Sequence, residues 1–123
     1  MDRFELIARY PGYYWLIERN LVGWTAFTGL QPWHYIPQEE MFYATERWPS
    51  GPSTAPLLVF ARRQDCDDLA CFKEGTGNAA EIVTIQGWSS GSYVIIQSFP
   101  TFWEWLKSVI DDIADWSALP GKE

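Results

Sequence analysis

The segment from Gly87 to Gly91 reads Gly-Trp-Ser-Ser-Gly and matches the G-x-S-x-G pattern of a hydrolase nucleophile elbow. That chemistry needs a helix directly after the serine and a histidine later in the chain to accept its proton. Here a β-branched run that predicts a strand follows the motif, and the single histidine, His34, precedes it. We therefore interpret Ser89 as a turn residue and His34 as a structural or surface residue, and we assign no catalytic residue.

Asp65, Asp67 and Asp68 form a second group that could do chemistry, because hard cations prefer clustered carboxylates. In an EF-hand alignment, however, Ala70 occupies the position of the required glycine and Thr76 that of the bidentate glutamate. We predict neither a metal nor another cofactor. Two interpretations of the aspartates stay open, a solvated acidic turn and a patch that binds a cationic partner.

Aromatic residues provide the third group. Eight Trp, seven Phe and six Tyr exceed what the core of a 123-residue chain needs, so we expect some rings at the surface. Trp88 lies among serines and glycines, where it either covers the sheet or anchors a partner, as interface tryptophans do. Glu39, Glu40 and Trp48 form the next candidate surface for a partner.

The charge balance narrows the class of partner. Nine basic and sixteen acidic side chains give a net charge of −7, which repels phosphate and anionic lipid. We therefore expect no nucleic-acid and no membrane partner, whereas a basic protein would be attracted. No segment has the roughly 18 apolar residues of a membrane span, and the first residues lack a signal-peptide pattern, so we expect a cytoplasmic protein.

The two cysteines agree with a reducing compartment. Cys66 and Cys71 are five residues apart, and an odd separation along a strand directs their side chains to opposite faces. We expect no disulfide between them.

The first half of the chain predicts helices. Residues 3–8 and 13–20 have helical patterns separated by Pro11 and Gly12, which disfavour a continuous helix. Residues 33–36 predict a short strand. Pro37 followed by Glu39 and Glu40 then predicts a helix that ends near Trp48.

The second half predicts a sheet and a final helix. After a Pro/Ser/Gly-rich loop, residues 57–61 and 69–72 predict one hairpin, and residues 82–86 and 93–97 predict another. Together the elements predict one α+β domain over residues 1–123, with N-terminal helices, a central antiparallel sheet and a C-terminal amphipathic helix packed on it.

The C-terminal helix has the clearest pattern. Its apolar residues fall on one face at helical spacing. They are Phe99, Phe102, Leu106, Val109, Ile110 and Ile113. Thr101 or Ser98 can cap the helix, and Trp103 and Trp105 are expected to widen its contact with the core.

The order of motifs in the second half resembles the SUKH superfamily. The apolar strand Leu57-Leu58-Val59-Phe60-Ala61 leads to the Asp-rich turn 64–68, further strands follow, and Ser98-Phe99-Pro100-Thr101-Phe102 resembles that family's Ser-Phe-x-x-Phe helix start. The superfamily includes a yeast regulator of cell-wall assembly and bacterial immunity proteins that neutralise toxins. The resemblance implies a domain that works by binding another protein.

The resulting hypothesis is a protein-binding module, an immunity protein that neutralises a basic toxin domain and is not an enzyme. A small hydrolase that uses the clustered acidic residues, or a regulatory scaffold, remains an alternative. The predicted partner-binding residues are Asp65, Asp67, Asp68, Trp88, Glu39, Glu40 and Trp48.

Overall fold

The computed structural model describes residues 3–23, 32–63, 66–74, 81–87 and 92–116. The strands are β1 (Trp33–Tyr35), β2 (Phe42–Tyr43), β3 (Leu57–Arg63), β4 (Asp68–Lys73), β5 (Glu81–Gly87) and β6 (Tyr93–Phe99). The helices are α1 (Arg3–Arg9), α2 (Pro11–Glu18), α3 (Ala44–Arg47) and α4 (Phe102–Trp116).

The strands form one antiparallel sheet in the order β1-β3-β4-β5-β6. β2 also pairs with β3, so β1 and β2 lie along successive parts of the same neighbour and form one interrupted edge. β6 forms the opposite edge. The predicted α+β class, with a central antiparallel sheet and a C-terminal helix packed on it, is confirmed.

One face of the sheet packs against α2 and α4. Phe60 stacks on Phe72 with ring centroids 4.1 Å apart, and the buried Trp105 of α4 meets Phe60 edge-on at 5.1 Å. A Cβ at Gly12 would lie 2.3 Å from the Phe102 ring, so this glycine lets α2 approach α4 closely. These aromatic contacts form the larger of the two cores.

The predicted helix break at Pro11 and Gly12 is wrong by one residue. Tyr10 separates the two helices, and Pro11 begins α2. A proline at the first position of a helix removes no intrahelical hydrogen bond, so it starts α2 instead of ending α1.

The second face is covered by the segments on either side of β2, residues 36–41 and 44–56. Ile36 and Ala44 pack with strand residues such as Val59 and Cys71, and the loop before β3 reaches Tyr93, whose hydroxyl accepts a hydrogen bond from the Ser53 backbone N–H at 3.2 Å. This layer has no long helix, and it is where the cleft described below lies.

The helix predicted from Pro37 to Trp48 is largely wrong. The segment divides into a 3-10 turn over Gln38–Glu40, strand β2 and the single turn of α3. Phe42 and Tyr43 pair with Val59 and Leu58 of β3, and this long-range pairing outweighs the local helical signal. The predicted end of the segment near Trp48 agrees with the structure, because α3 ends at Arg47.

Helix α4 is held to the sheet by polar contacts as well as by its apolar face. Asp112 Oδ2 accepts a hydrogen bond from Trp33 Nε1 at 3.0 Å and lies 3.2 Å from Arg63 Nη1. Thr101 Oγ1 accepts a hydrogen bond from the Glu104 N–H at 3.2 Å, so of the two predicted caps Thr101 is the one observed.

No described helix is long and apolar enough to cross a bilayer.

The apolar face of α4 differs from the prediction at three positions. Ile110 is 59% exposed and does not belong to the core, and Phe99 lies at the end of β6 and not in the helix. Trp105 is buried as predicted. Trp103 remains 45% exposed and contributes through edge contacts with Trp15 at 5.7 Å and Phe102 at 5.0 Å.

Candidate functional site

A cleft of about 460 Å³ opens on the second face of the sheet, beside the turn between β3 and β4. Its walls come from the segment before β2, the end of α3, the β3–β4 turn and the end of β5. The lining residues are Ile36, Glu40, Phe42, Arg47, Trp48, Arg62, Cys66, Asp67, Asp68, Leu69 and Gly87.

Trp48 is held firmly at the base of the cleft. Its ring lies against the backbone of Gly87, where a Cβ would come within 2.1 Å of Trp48 Cζ2. It also contacts the buried ring of Tyr93, whose centroid is 6.2 Å away. Gly51 packs on the Tyr93 ring from the loop before β3.

Two arginines contribute positive charge to the cleft. Arg47 Cζ lies 4.2 Å from the centroid of the Phe42 ring, a cation–π geometry that orients its guanidinium. Arg62 projects from β3, opposite Leu69 of β4. Sequence reasoning missed both arginines. The only signal in the sequence was their position: Arg47 directly precedes Trp48, and Arg62 directly follows the apolar run 57–61.

The carboxylates differ in their placement. Glu40, at the end of the 3-10 turn, and Asp67, in the β3–β4 turn, are exposed at the cleft. Asp68 accepts a hydrogen bond from Gln86 Nε2 at 3.2 Å and also borders a smaller cavity of about 140 Å³ under α4. Strand alternation places Asp68 on the same face as Ala70, so its carboxylate is directed to the α4 side.

The predicted partner-binding residues therefore have different outcomes. Glu40, Trp48, Asp67 and Asp68 border one cleft. Glu39 does not line it. Asp65 and Trp88 lie outside the described residues, as does Ser89 of the G-x-S-x-G match. The segment that follows that match forms strand β6 and not the helix that a nucleophile elbow requires.

Glu39 is exposed, and its charge acts on the buried Tyr13. The Tyr13 hydroxyl donates a 2.5 Å hydrogen bond to the Ile36 carbonyl and so ties α2 to the segment that carries Glu39 and Glu40. Burial raises the pKa of Tyr13 above its usual value, and the negative charge of Glu39 raises it further.

The two thiols differ sharply in environment. Cys66 is exposed at the rim of the cleft, whereas Cys71 is buried in β4. Burial raises the pKa of the Cys71 thiol, because the thiolate cannot be solvated there. Neither residue forms a disulfide, as predicted.

A separate polar cluster surrounds Glu74 at the end of β4. Its carboxylate accepts hydrogen bonds from the hydroxyls of Tyr10 and Tyr43, the latter at 3.0 Å, and lies 2.9 Å from Arg9 Nη2. Burial and these hydrogen bonds to Glu74 raise the pKa of both tyrosines. The cluster joins α1 and α2 to β2 and β4, so its evident role is to position these elements.

The arrangement in the cleft is suited to holding a charged and partly apolar surface. An indole and acidic and basic side chains line the same cleft. Within the described ranges no group of three or more His, Cys, Asp or Glu residues is placed to bind a metal ion. None of the protein-family models, curated proteins or solved structures compared with this chain matches it.

Proposed function

We propose that the chain is a protein-binding module that neutralises a basic toxin domain by direct binding, with the cleft as its binding surface. The observation that carries the proposal is the convergence of Glu40, Trp48 and Asp67 from three separate segments on one cleft. All three residues are among those that the sequence predicts as partner contacts.

The chemistry of the cleft resembles the centre of a protein interface. Binding energy at such surfaces concentrates on a few aromatic and arginine anchors that are surrounded by polar residues. Trp48 provides a rigid ring with little conformational entropy to lose, because Gly87 and Tyr93 already fix it. Arg47 and Arg62 line the same cleft.

The charge of the whole chain supports a basic partner. With a net charge of −7, the protein attracts a cationic domain over several ångströms, and this attraction raises the rate of encounter. The cleft itself carries both signs of charge, so it favours a partner surface on which basic groups surround an apolar side chain.

The first experiment is affinity capture from the native cell, with three forms of the protein as bait and the product of the adjacent gene supplied as a candidate. The cleft form carries Glu40→Gln and Asp67→Asn. The matched control carries Glu104→Gln and Asp111→Asn on the exposed side of α4, which removes the same charge from the opposite face. We expect the wild type and the control to capture one stoichiometric chain and the cleft form to capture far less.

Binding kinetics then distinguish long-range electrostatic attraction of the partner from direct contact in the complex. The cleft form should bind with a lower on-rate and a weaker dependence on salt, because surface charges are screened beyond about 8 Å at physiological ionic strength. A captured toxin should arrest growth when it is expressed alone and lose this effect when the wild-type protein is added in equal amount. Equal loss of binding in the cleft and control forms would contradict a role for this cleft.

A hydrolase is the second candidate, and one observation favours it. Glu40 and Asp67 line the same cleft, as a pair of acid and base groups would have to. Mass spectrometry of the captured partner distinguishes the two functions. An intact partner in a stable complex indicates binding, whereas a partner that is cleaved or altered only when Asp67 is present indicates catalysis.

A further inference from the structure

A second hollow, of about 480 Å³, lies beside α3 and shares no lining residue with the cleft. Part of its lining comes from Tyr43 of β2 and the first residues of α3, and part comes from the loop 53–56 before β3. Glu74, directly after β4, completes it. Its volume lies within the roughly 300–1,000 Å³ of sites that hold small ligands. We refer to this hollow as the α3 groove.

The segment formed by β2 and α3 separates the α3 groove from the cleft. Phe42 and Arg47 line the cleft, whereas Tyr43 and Glu46 line the α3 groove. Strand alternation explains the difference within β2, because Phe42 packs with the second core and Tyr43 packs with the first. A helix with its side chains is about 10–12 Å across, a width that one protein interface readily spans. A partner in the cleft can therefore also reach the α3 groove.

Two carboxylates of the α3 groove are held in place by the protein itself. Glu46 Oε2 accepts a hydrogen bond from the Tyr43 backbone N–H at 2.7 Å. Glu74 accepts a hydrogen bond from the Tyr43 hydroxyl at 3.0 Å. Glu74 is also bound by the Tyr10 hydroxyl and by Arg9 Nη2, the latter at 2.9 Å. Both ends of Tyr43 thus position an acidic group before any ligand arrives.

Both carboxylates keep the capacity to accept further hydrogen bonds. An ionised carboxylate offers about four acceptor sites. Within the described part of the chain, Glu46 Oε1 accepts no hydrogen bond and Glu74 Oε1 accepts only the one from Tyr43. No lysine, arginine or histidine is among the described residues that line the α3 groove, and Arg9 offsets one of the two charges from the α1 side. The α3 groove is therefore a net acceptor of positive charge.

The remaining surface of the α3 groove fits the stem of a long basic side chain. Ala55 and Pro56 supply apolar surface, and Tyr43 supplies an aromatic ring. Lysine and arginine bury their methylene stems on such surfaces while their charged ends stay with polar groups. An aromatic ring also attracts a cation placed over its face.

We propose that the α3 groove binds a lysine or arginine side chain of the same basic partner that occupies the cleft. The proposal rests on the proposed function, because that partner supplies the side chain. Charge complementarity selects the occupant, since Glu46 and Glu74 line a hollow without a basic lining residue. Continuity selects its source, since β2 and α3 contribute to both hollows. The bound partner then lies across α3.

NMR titration of the protein alone tests the α3 groove with N-acetyl-arginine amide and N-acetyl-lysine amide. The backbone amide signals of Tyr43, Glu46 and Glu74 should shift, with a dissociation constant in the millimolar range. The tighter of the two probes identifies the preferred side chain. N-acetyl-citrulline amide, which has the shape of the arginine probe without its charge, should cause almost no shift. Glu46→Gln retains an acceptor for the Tyr43 N–H and should raise the dissociation constant about two- to fivefold.

A variant that occupies the α3 groove tests the complex with the captured partner. Thr54→Lys places an ammonium of the protein itself at the α3 groove and should raise the dissociation constant of the partner about tenfold. Ile110→Lys adds the same charge at a position on α4 that is 59% exposed, and it is the matched control. The control should bind the partner nearly as tightly as the wild type does. Circular dichroism checks that both variants fold.

The results separate this proposal from the proposed function. Equal shifts with the arginine and citrulline probes overturn it, as do shifts confined to Phe42 and Trp48 in the cleft. A partner that binds Thr54→Lys as tightly as Ile110→Lys also overturns it, while loss of capture by the cleft form would still support the proposed function. If the probes bind at Glu46 but the wild type captures no partner, the proposed function fails and the preference of the α3 groove for basic side chains stands.

Discussion

The indole of Trp48 lies directly on the backbone of Gly87, at a position where any Cβ would come within 2.1 Å of Cζ2. Gly87 is the first residue of the apparent nucleophile motif. Its contact with Trp48 gives a packing reason for a glycine at this point in the chain. The residue shapes the base of the cleft, and this role requires no nucleophile nearby.

Gly87→Ala should destabilise the protein by about 1–3 kcal/mol, because the added methyl group must displace the indole of Trp48. The measurement is chemical denaturation of Gly87→Ala, Trp48→Ala and the double variant. In the Trp48→Ala background, Gly87→Ala should cost much less stability. The double-mutant cycle should therefore give a coupling energy of at least about 0.5 kcal/mol. Strictly additive effects would mean that the ring moves away without cost.

Elements with a strong local period could be predicted from sequence, and those determined by distant contacts could not. Helix α4 and the strands β3 to β6 follow from their own spacing of apolar residues. The segment around Phe42 could not be predicted in the same way, because its pairing with Val59 depends on a strand that comes later in the chain. The segment therefore forms a strand at this point, although its local sequence favours a helix.

In the candidate site, too, some features could be predicted from the local sequence and others depend on distant contacts. Glu40, Trp48 and Asp67 were selected by residue type, but their convergence depends on the path of residues 36–56 across the sheet. Arg47 and Arg62 were missed, because a lone arginine beside an apolar run has no pattern of its own. Asp68 was selected with its neighbours, although strand alternation directs its carboxylate to the other face.

Val109→Ala and Ile110→Ala form a matched pair that tests the face of α4. Val109 is 1% exposed and Ile110 is 59% exposed. Loss of two buried methyl groups and the resulting cavity should cost about 1–3 kcal/mol at Val109. At Ile110 the change should stay within about 0.5 kcal/mol. Urea denaturation of both variants measures the difference, and similar costs at the two positions would mean that α4 is rotated on the sheet.

The loss of stability in Leu106→Ala should lie between the losses in Val109→Ala and Ile110→Ala. Leu106 is only partly buried beside the α4 core, so we expect a cost of about 1–2 kcal/mol, at or below the low end of the range for fully buried leucines. A fully buried leucine would cost about 2–5 kcal/mol. A loss above about 3 kcal/mol would indicate that the side chain is buried more deeply than the structure places it.

The tyrosines around Glu74 should make stability fall at high pH. The folded state raises the pKa of Tyr10 and Tyr43, so it holds their protons at pH values at which the unfolded chain releases them. The stabilising contribution of these tyrosines is fully present below their pKa in the unfolded chain, about 10. It is lost as the pH rises through their pKa in the folded protein. Tyr10→Phe should reduce the decline above pH 10 by up to about 1.4 kcal/mol per pH unit. Denaturation midpoints between pH 8 and roughly pH 11 measure it, and an identical decline in both proteins would contradict the role of Tyr10.

The two thiols should react at very different rates. Cys66 is exposed at the cleft, whereas Cys71 is buried and its raised pKa keeps it protonated. Since the thiolate is the reactive form, an aromatic disulfide reagent should titrate one thiol in the native protein and the second only after unfolding. Cys66→Ser should remove the fast reaction entirely. A bulky adduct on Cys66 should also block capture of the cleft partner, because it fills the cleft beside Asp67. Rapid reaction of both thiols in the native protein would mean that β4 opens, and full capture by the modified protein would place the interface elsewhere.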